Sequence, residues 1–172
     1  IRRSIDVARN IQLPQNTEIL HSLVQDFYVD SRSGIKDPVD MLGHRLDTKI
    51  LLVLGSSPII QNQKKCVHKT GLQVQKVVFQ TLADSEVVLS PEEKDMGAIV
   101  INIGSGSTNY IAYAGGAPVH VGGINRGSDL VTSDIAYLFQ LPKAAAESLK
   151  LTDGSCYSPG IHDSDMMVTP AL

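Results

Sequence analysis

The sequence predicts a mixed α/β (α+β) fold, and three observations carry that expectation. In the first half of the chain, windows with apolar residues at helical spacing interleave with windows that alternate apolar and polar residues. Three short strand patterns then follow one another with glycine between them, and two helical patterns come after those. The 172 residues are 42% apolar, enough for a core in one medium or two small domains.

Taken in order, Ile1, Ile5, Ala8 and Ile11 share one helical face that Pro14 closes. Ile19 to Val29 read as a long strand, with "DSRSG" at Asp30 to Gly34 as its turn. "GIKDPVDMLGHRLD" is a loop, and "LDTKILLVL" sets Leu46, Ile50, Leu52 and Leu54 on one strand face. In the next helix Ser57 is the expected cap and Pro58 suits the first turn. Ile59, Gln63, Cys66, Val67 and Thr70 form its inner stripe, Lys64, Lys65, His68 and Lys69 its wet face, and Gly71 its stop. Leu72 to Phe79 read as a strand, "TLADSEVVL" as a helix, and "SPEEKD" as a polar linker and the best domain boundary. Beyond it, Ala98 to Ile103, Asn109 to Ala114 and Pro118 to Val121 form an antiparallel meander. A helix from Gly127 to Gln140 turns Leu130, Val131, Ile135, Leu138 and Phe139 inward, and Pro142 starts another over "KAAAESLK". Thr152 to Leu172 show no period.

Composition excludes several classes. A net charge of −3, from 15 basic and 18 acidic residues scattered along the chain, is not the footprint of a nucleic-acid binder. The longest apolar run, "ILLVLG" at Ile50 to Gly55, is far shorter than the ~20 residues that span a bilayer. Cys66 and Cys156 have no CxxC spacing and no secretory signal precedes them, which fits a reducing cytoplasm, with Cys66 in the core. His21, His44, His68, His120 and His162 lack metal-ligand spacing and read as surface or loop residues. The chain opens at Ile1 inside a helical pattern, so a segment of a longer polypeptide is expected.

The stretch with chemistry in it is "GAIVINIGSGSTNYIAY", Gly97 to Tyr113. A turn with Gly104 and Gly106 lets backbone N–H groups approach an anion, and Ser105, Ser107 and Thr108 add hydroxyl donors. Taken alone, glycine and serine between two strands equally describe an ordinary hairpin.

Neighbouring motifs extend the reading. The order strand, "INIGSGST", two strands, helix, then a helix bearing Glu147 and Lys150 resembles one half of the actin-type ATPase fold, whose second phosphate loop runs acid, aliphatic, Gly, small, Gly, Thr or Ser. "GIKDPVDMLGHRLD", "KCVHKTGLQV" and "VTSDIAYLFQLPKAAAESLK" are each similar to segments of the bacterial cell-division family FtsA. The resemblance runs from about Ile11 to Gly154. It implies a piece of an actin-like (ribonuclease H-like) ATPase fold carrying the FtsA-type 1C insertion domain. Residues 1–70 would be most of 1C, 71–95 a return to subdomain 1A with a linker, and 96–172 the start of subdomain 2A.

What the resemblance implies for the site is residue by residue. Gly104, Ser105, Gly106 and Ser107 would hold the β- and γ-phosphates of ATP, accompanied by Mg²⁺ in the complete parent. Glu147 and Lys150, three apart on one helix face, would meet the nucleoside end; without the resemblance they read as a solvated ion pair. Asn102 stands where the family places an acid and Asn109 replaces a second, less regular one. An amide neither attracts a cation by charge nor accepts a proton, so weak or absent hydrolysis is expected, with no catalytic residue assigned and no ATP binding by this chain alone.

The resemblance further implies a protein that tethers FtsZ to the cytoplasmic face of the inner membrane at the division site. The 1C region would serve self-association and late divisome proteins, while FtsZ and a C-terminal membrane helix would engage through other regions. The alternative is an actin-fold scaffold that works by protein contact without nucleotide. A metabolic phosphotransferase would need a catalytic acid, and the glycine hairpin has none.

Overall fold

In a computed structural model of the chain, residues 1–30 and 32–157 are described, and they form six helices and six strands in two compact units. One unit holds residues 1–101 and 109–122; the other holds 102–108 and the described residues from Gly123 on. The division therefore runs through the glycine hairpin, whose turn belongs with the C-terminal helices.

The first unit begins with α1 (Arg2–Arg9) and a three-stranded antiparallel sheet in the order β2-β1-β3, where β1 is Thr17–Val29, β2 Arg32–Ile35 and β3 Leu46–Ser56. The strand β2 lies within residues that the sequence assigns to turn and loop. Its pairing of Phe27 with Ile35 supplies the partner that local propensity could not reveal. α1 lies on β3, where the Ser4 and Thr48 hydroxyls bond at 2.8 Å. The loop between β2 and β3 is gathered by Asp30, whose carboxylate accepts the N–H groups of His44 and Arg45 at 2.9 and 2.8 Å.

Two bulges on β1 alter the alternation of its side chains. Ile19 pairs with Leu54 but His21 with Val53, and Val24 pairs with Ile50 but Asp26 with Lys49, so Leu20 and Gln25 are extra residues. Gln25, freed from the ladder, donates from Nε2 to the carbonyls of Pro118 and Val119 at 2.9 and 3.0 Å.

The expected β3 face holds as far as Leu52. Beyond it Val53 is buried and Leu54 exposed. The cause is α2 (Ser57–His68), which follows β3 without a loop and folds back so that Ile60 lies over Gly55; a Cβ on Gly55 would sit 2.6 Å from the Ile60 Cδ1. Ile60 is the buried residue of α2, Ile59 and Cys66 are exposed, and the N-cap is Ser56 without a side-chain cap bond. The expected stripe, the core placement of Cys66 and the Ser57 cap are thus corrected, because an abrupt strand-to-helix junction fixed the rotation of the helix.

Residues 72–79 do not form the expected strand: no strand among the described residues pairs with them, and a ladder needs two. Their end is anchored by His21, whose Nε2 accepts the Phe79 N–H at 2.9 Å. His21 is therefore a half-buried strand residue rather than a surface or loop one. α3 (Gln80–Val88) follows and packs small polar residues inward, with the buried Ser85 hydroxyl 2.7 Å from the Tyr113 hydroxyl. "SPEEKD" is a helix, α4 (Pro91–Met96), rather than a linker. Ser90 and Glu93 make a reciprocal capping box, a signal present in the S-x-x-E spacing.

β4 (Ala98–Ile103), β5 (Thr108–Ala114) and β6 (Ala117–Ile124) form the second sheet in that order, and their four- and two-residue connections permit only antiparallel pairing. The β5–β6 turn, Gly115-Gly116, has φ of 57° and 79°, the requirement of a type I′ turn. Its N–H groups donate to the carbonyls of Asp95 and Lys94 at 3.2 and 3.0 Å, satisfying acceptors that the last turn of α4 leaves unpaired. The Asp95 carboxylate binds Lys36 Nζ at 2.7 Å beside it.

α5 (Ser128–Phe139) and α6 (Lys143–Thr152) pack on one another in the second unit. The face of α5 that is covered carries Thr132, 1% exposed, whereas Leu130, Val131, Leu138 and Phe139 of the expected inner stripe are exposed. The buried Ala146 and Leu149 of α6 select that face. The end of the unpatterned tail, residues 158–172, lies outside the described residues. Among the described residues no helix is long and apolar enough to cross a membrane.

Two outcomes are expected. Gly116→Ala would require φ of 79° from a residue with a Cβ placed 2.8 Å from Asp95 Oδ1, and should lower the unfolding free energy by about 1–3 kcal/mol in urea titrations. Burial, then the neighbouring Lys76, holds the His21 pKa below its ordinary 6.5. The unfolded chain then binds the proton more tightly, so stability is full above pH 6.5 and falls as pH drops through the folded value. His21→Gln, which keeps an acceptor and does not titrate, should flatten that slope.

Candidate functional site

The turn Gly104 to Ser107 is built from its backbone outward. The Gly104 N–H closes it by donating to the Ser107 carbonyl at 2.8 Å. The carbonyls of Gly104 and Ser105 accept the N–H groups of Ser128 and Asp129, each at 2.9 Å. The first turn of α5 thus spends its unpaired donors on the loop. This approach is close enough that a Cβ at Gly127, the N-cap of α5, would sit 2.2 Å from the Gly104 oxygen. Thr108 adds a hydroxyl bond to the Arg126 carbonyl at 2.8 Å.

The turn is left electrically one-sided. The carbonyls of Gly104 and Ser105 are taken by α5, while the N–H groups of Ser105 and Gly106 donate to no backbone carbonyl among the described residues. Ser105 and Gly106 are exposed, and nothing lies within 4 Å of a Cβ built on Gly106. Neither Gly104 nor Gly106 has positive φ, so their absence of side chain matters through access and not through conformation. Asn102 and Asn109, at the two places where acids were expected, are half-buried.

Glu147 and Lys150 lie on α6 in the same unit and hold each other at 2.7 Å. Thr132 of α5 joins them: its hydroxyl donates to Glu147 Oε2 and accepts from Lys150 Nζ at 2.8 Å. Lys150, then Thr132, hold the Glu147 carboxyl below its usual range by hydrogen bonding. A second pair, Lys143 with Asp129 at 2.7 Å, ties the start of α6 to the first turn of α5. Sequence reasoning missed Thr132, Ser128 and Gly127. The available signal was a threonine among aliphatic residues on a helix, legible as functional only once burial is known. Among the described residues no group of three or more His, Cys, Asp or Glu is placed to hold a metal ion.

A glycine turn on a three-stranded meander, braced by the first of two packed helices, belongs to the actin-like α/β fold. A chain in the solved structure of a PilM-PilN type IV pilus biogenesis complex superposes with a TM-score of 0.62 over 88% of this chain and 42% of that one, at 18% identity, a likeness of fold. Residues 1–54 match the family described as SHS2 domain inserted in FTSA, and residues 99–171 match Cell division protein FtsA. Cell division protein FtsA of Borreliella burgdorferi is 40% identical over 96% of the chain, that of Neisseria meningitidis 36% over 100%, and that of Escherichia coli strain K12 30% over 100%. The chain belongs to the FtsA family of cell-division proteins. It spans 40%, 42% and 41% of the length of those relatives, respectively.

Proposed function

We propose that this chain supplies one wall of an ATP site in an FtsA-type assembly protein. The carrying observation is the polarised turn, with the carbonyls of Gly104 and Ser105 taken by α5 and the N–H groups of Ser105 and Gly106 left without backbone partners among the described residues. Such an array of donors suits the β- and γ-phosphates; Gly104, whose own N–H is taken by the Ser107 carbonyl, would complete the cradle by its lack of a side chain and Ser107 by its hydroxyl. Glu147 and Lys150 would serve the nucleoside end. Mg²⁺ would accompany the triphosphate, held chiefly by phosphate oxygens and water, because the residue at the usual acid position is Asn102. Backbone amides can hold phosphates without that acid, whereas turnover suffers more from its absence. The site is therefore one for nucleotide sensing with weak or no hydrolysis.

The complete protein would tether FtsZ to the cytoplasmic face of the inner membrane at the division site and recruit other divisome proteins. The SHS2 or 1C region would meet neighbouring protomers or late division proteins. Asn102 also favours a second reading, a scaffold of the same fold that acts through protein contacts with no nucleotide.

Calorimetric titration of Mg-ATP into the complete gene product carrying these residues, beside its Asn102→Asp variant, separates the two. Binding by both, with phosphate release appearing or rising only in Asn102→Asp, is the expected result. No heat from either protein would overturn the nucleotide site and leave the scaffold.

A further inference from the structure

The first turn of α5 carries an acid beside the glycine turn. Asp129 is the second residue of the helix, and its N–H donates to the Ser105 carbonyl at 2.9 Å. Three bonds separate that nitrogen from the carboxyl carbon of Asp129. The charge therefore lies nearer to the turn than the roughly 8 Å over which physiological salt screens exposed charges. The positive end of a helix dipole favours an anion, but an aspartate in the first turn already offsets that field. A polyphosphate at the turn would meet repulsion from Asp129 where the helix could otherwise attract it.

Lys143, at the start of α6, cancels that charge. Its Nζ lies 2.7 Å from Asp129 Oδ1 and donates to Oδ2 at 2.7 Å. The two side chains are 60% and 43% exposed, and a pair so exposed adds little to stability. Its consequence lies in the field that it leaves around the turn. Among the described residues of this unit the cations are Arg126, Lys143 and Lys150, and the acids are Asp129, Asp134, Glu147 and Asp153. Lys150 is itself held by Glu147 at 2.7 Å. No surplus of positive charge draws an anion here, and the amide donors of the turn carry no net charge, so one uncompensated carboxylate beside them is felt.

We propose that Lys143 is a positioning residue for the phosphate end of the nucleotide, acting through Asp129: it neutralises that carboxylate, so that the N–H groups of Ser105 and Gly106 accept a polyanion without an opposing charge on the first turn of α5. The proposal rests on the nucleotide reading above. Lys143 tunes the preference for anionic over neutral ligands and needs no contact with the phosphates.

The test uses the complete gene product and calorimetric titration with Mg-ATP, inorganic tripolyphosphate and adenosine, at low and at physiological salt. Lys143→Gln, which leaves the Asp129 charge uncompensated, should weaken both anions about three- to tenfold at low salt and less at physiological salt, with adenosine unchanged. Asp129→Asn should bind the anions at least as tightly as the wild-type protein, and Asp129→Asn added to Lys143→Gln should restore their affinity. Lys143→Arg should match the wild type. Urea midpoints should agree across the set, as befits an exposed pair.

Equal losses in Lys143→Gln and Asp129→Asn, with no recovery in the double variant, would make the pair a mechanical tie between α5 and α6 and overturn the proposal with the nucleotide site intact. Unchanged anion affinity in Lys143→Gln, or a loss that salt does not reduce or that extends to adenosine, would overturn it equally. Should Lys143→Gln fail to fold, weaker anion binding by Asp129→Asn alone would suffice to reject it. A wild-type protein that binds none of the three compounds would instead overturn the nucleotide reading.

Discussion

The second unit depends on one constraint: the first N–H groups of a helix must find acceptors. α5 finds them in the carbonyls of Gly104 and Ser105. That choice fixes the turn, because two of its acceptors are committed, and it fixes the helix, because its first residues are tethered to the hairpin. Gly127 can lie at the crossing because it has no Cβ to meet the Gly104 oxygen. With α5 placed, Thr132 comes to face α6, and Glu147 and Lys150 gain the third partner that makes them a cluster rather than a surface pair.

The first unit solves the complementary problem at the other end of β5. There the carbonyls that end α4 need donors, and the Gly115-Gly116 turn supplies two. Positive φ at both glycines lets the turn present its N–H groups to the helix end. Strand β5 leads into this turn. The buried contact of Tyr113 with Ser85 and the buried Ile111 secure its middle.

Much of the fold was legible from local pattern. The long strand from Ile19 to Val29, the glycine hairpin and the two C-terminal helices announce themselves by period and punctuation. The capping box at Ser90 was equally present in the sequence, yet a short polar stretch after a helix reads first as a linker. β2 was not legible, because a four-residue strand containing Gly34 gains its identity from Phe27 across the ladder. Residues 72–79 erred in the opposite direction, with strand chemistry and no strand to pair with among the described residues.

The sequence by itself determined the long strand β1, the glycine hairpin and the two C-terminal helices, where glycine permits tight turns, and that the motifs are those of the FtsA family. It also displayed Asn102 where the family resemblance leads one to expect an acid. Tertiary structure decided which face of each helix is covered. Leu130 and Leu138 have the composition of a core and are exposed, while the polar Thr132 is buried. The reason is physical: an apolar period states that a face can be buried, but a hydroxyl is buried only where another element brings it partners, and those partners lie on α6.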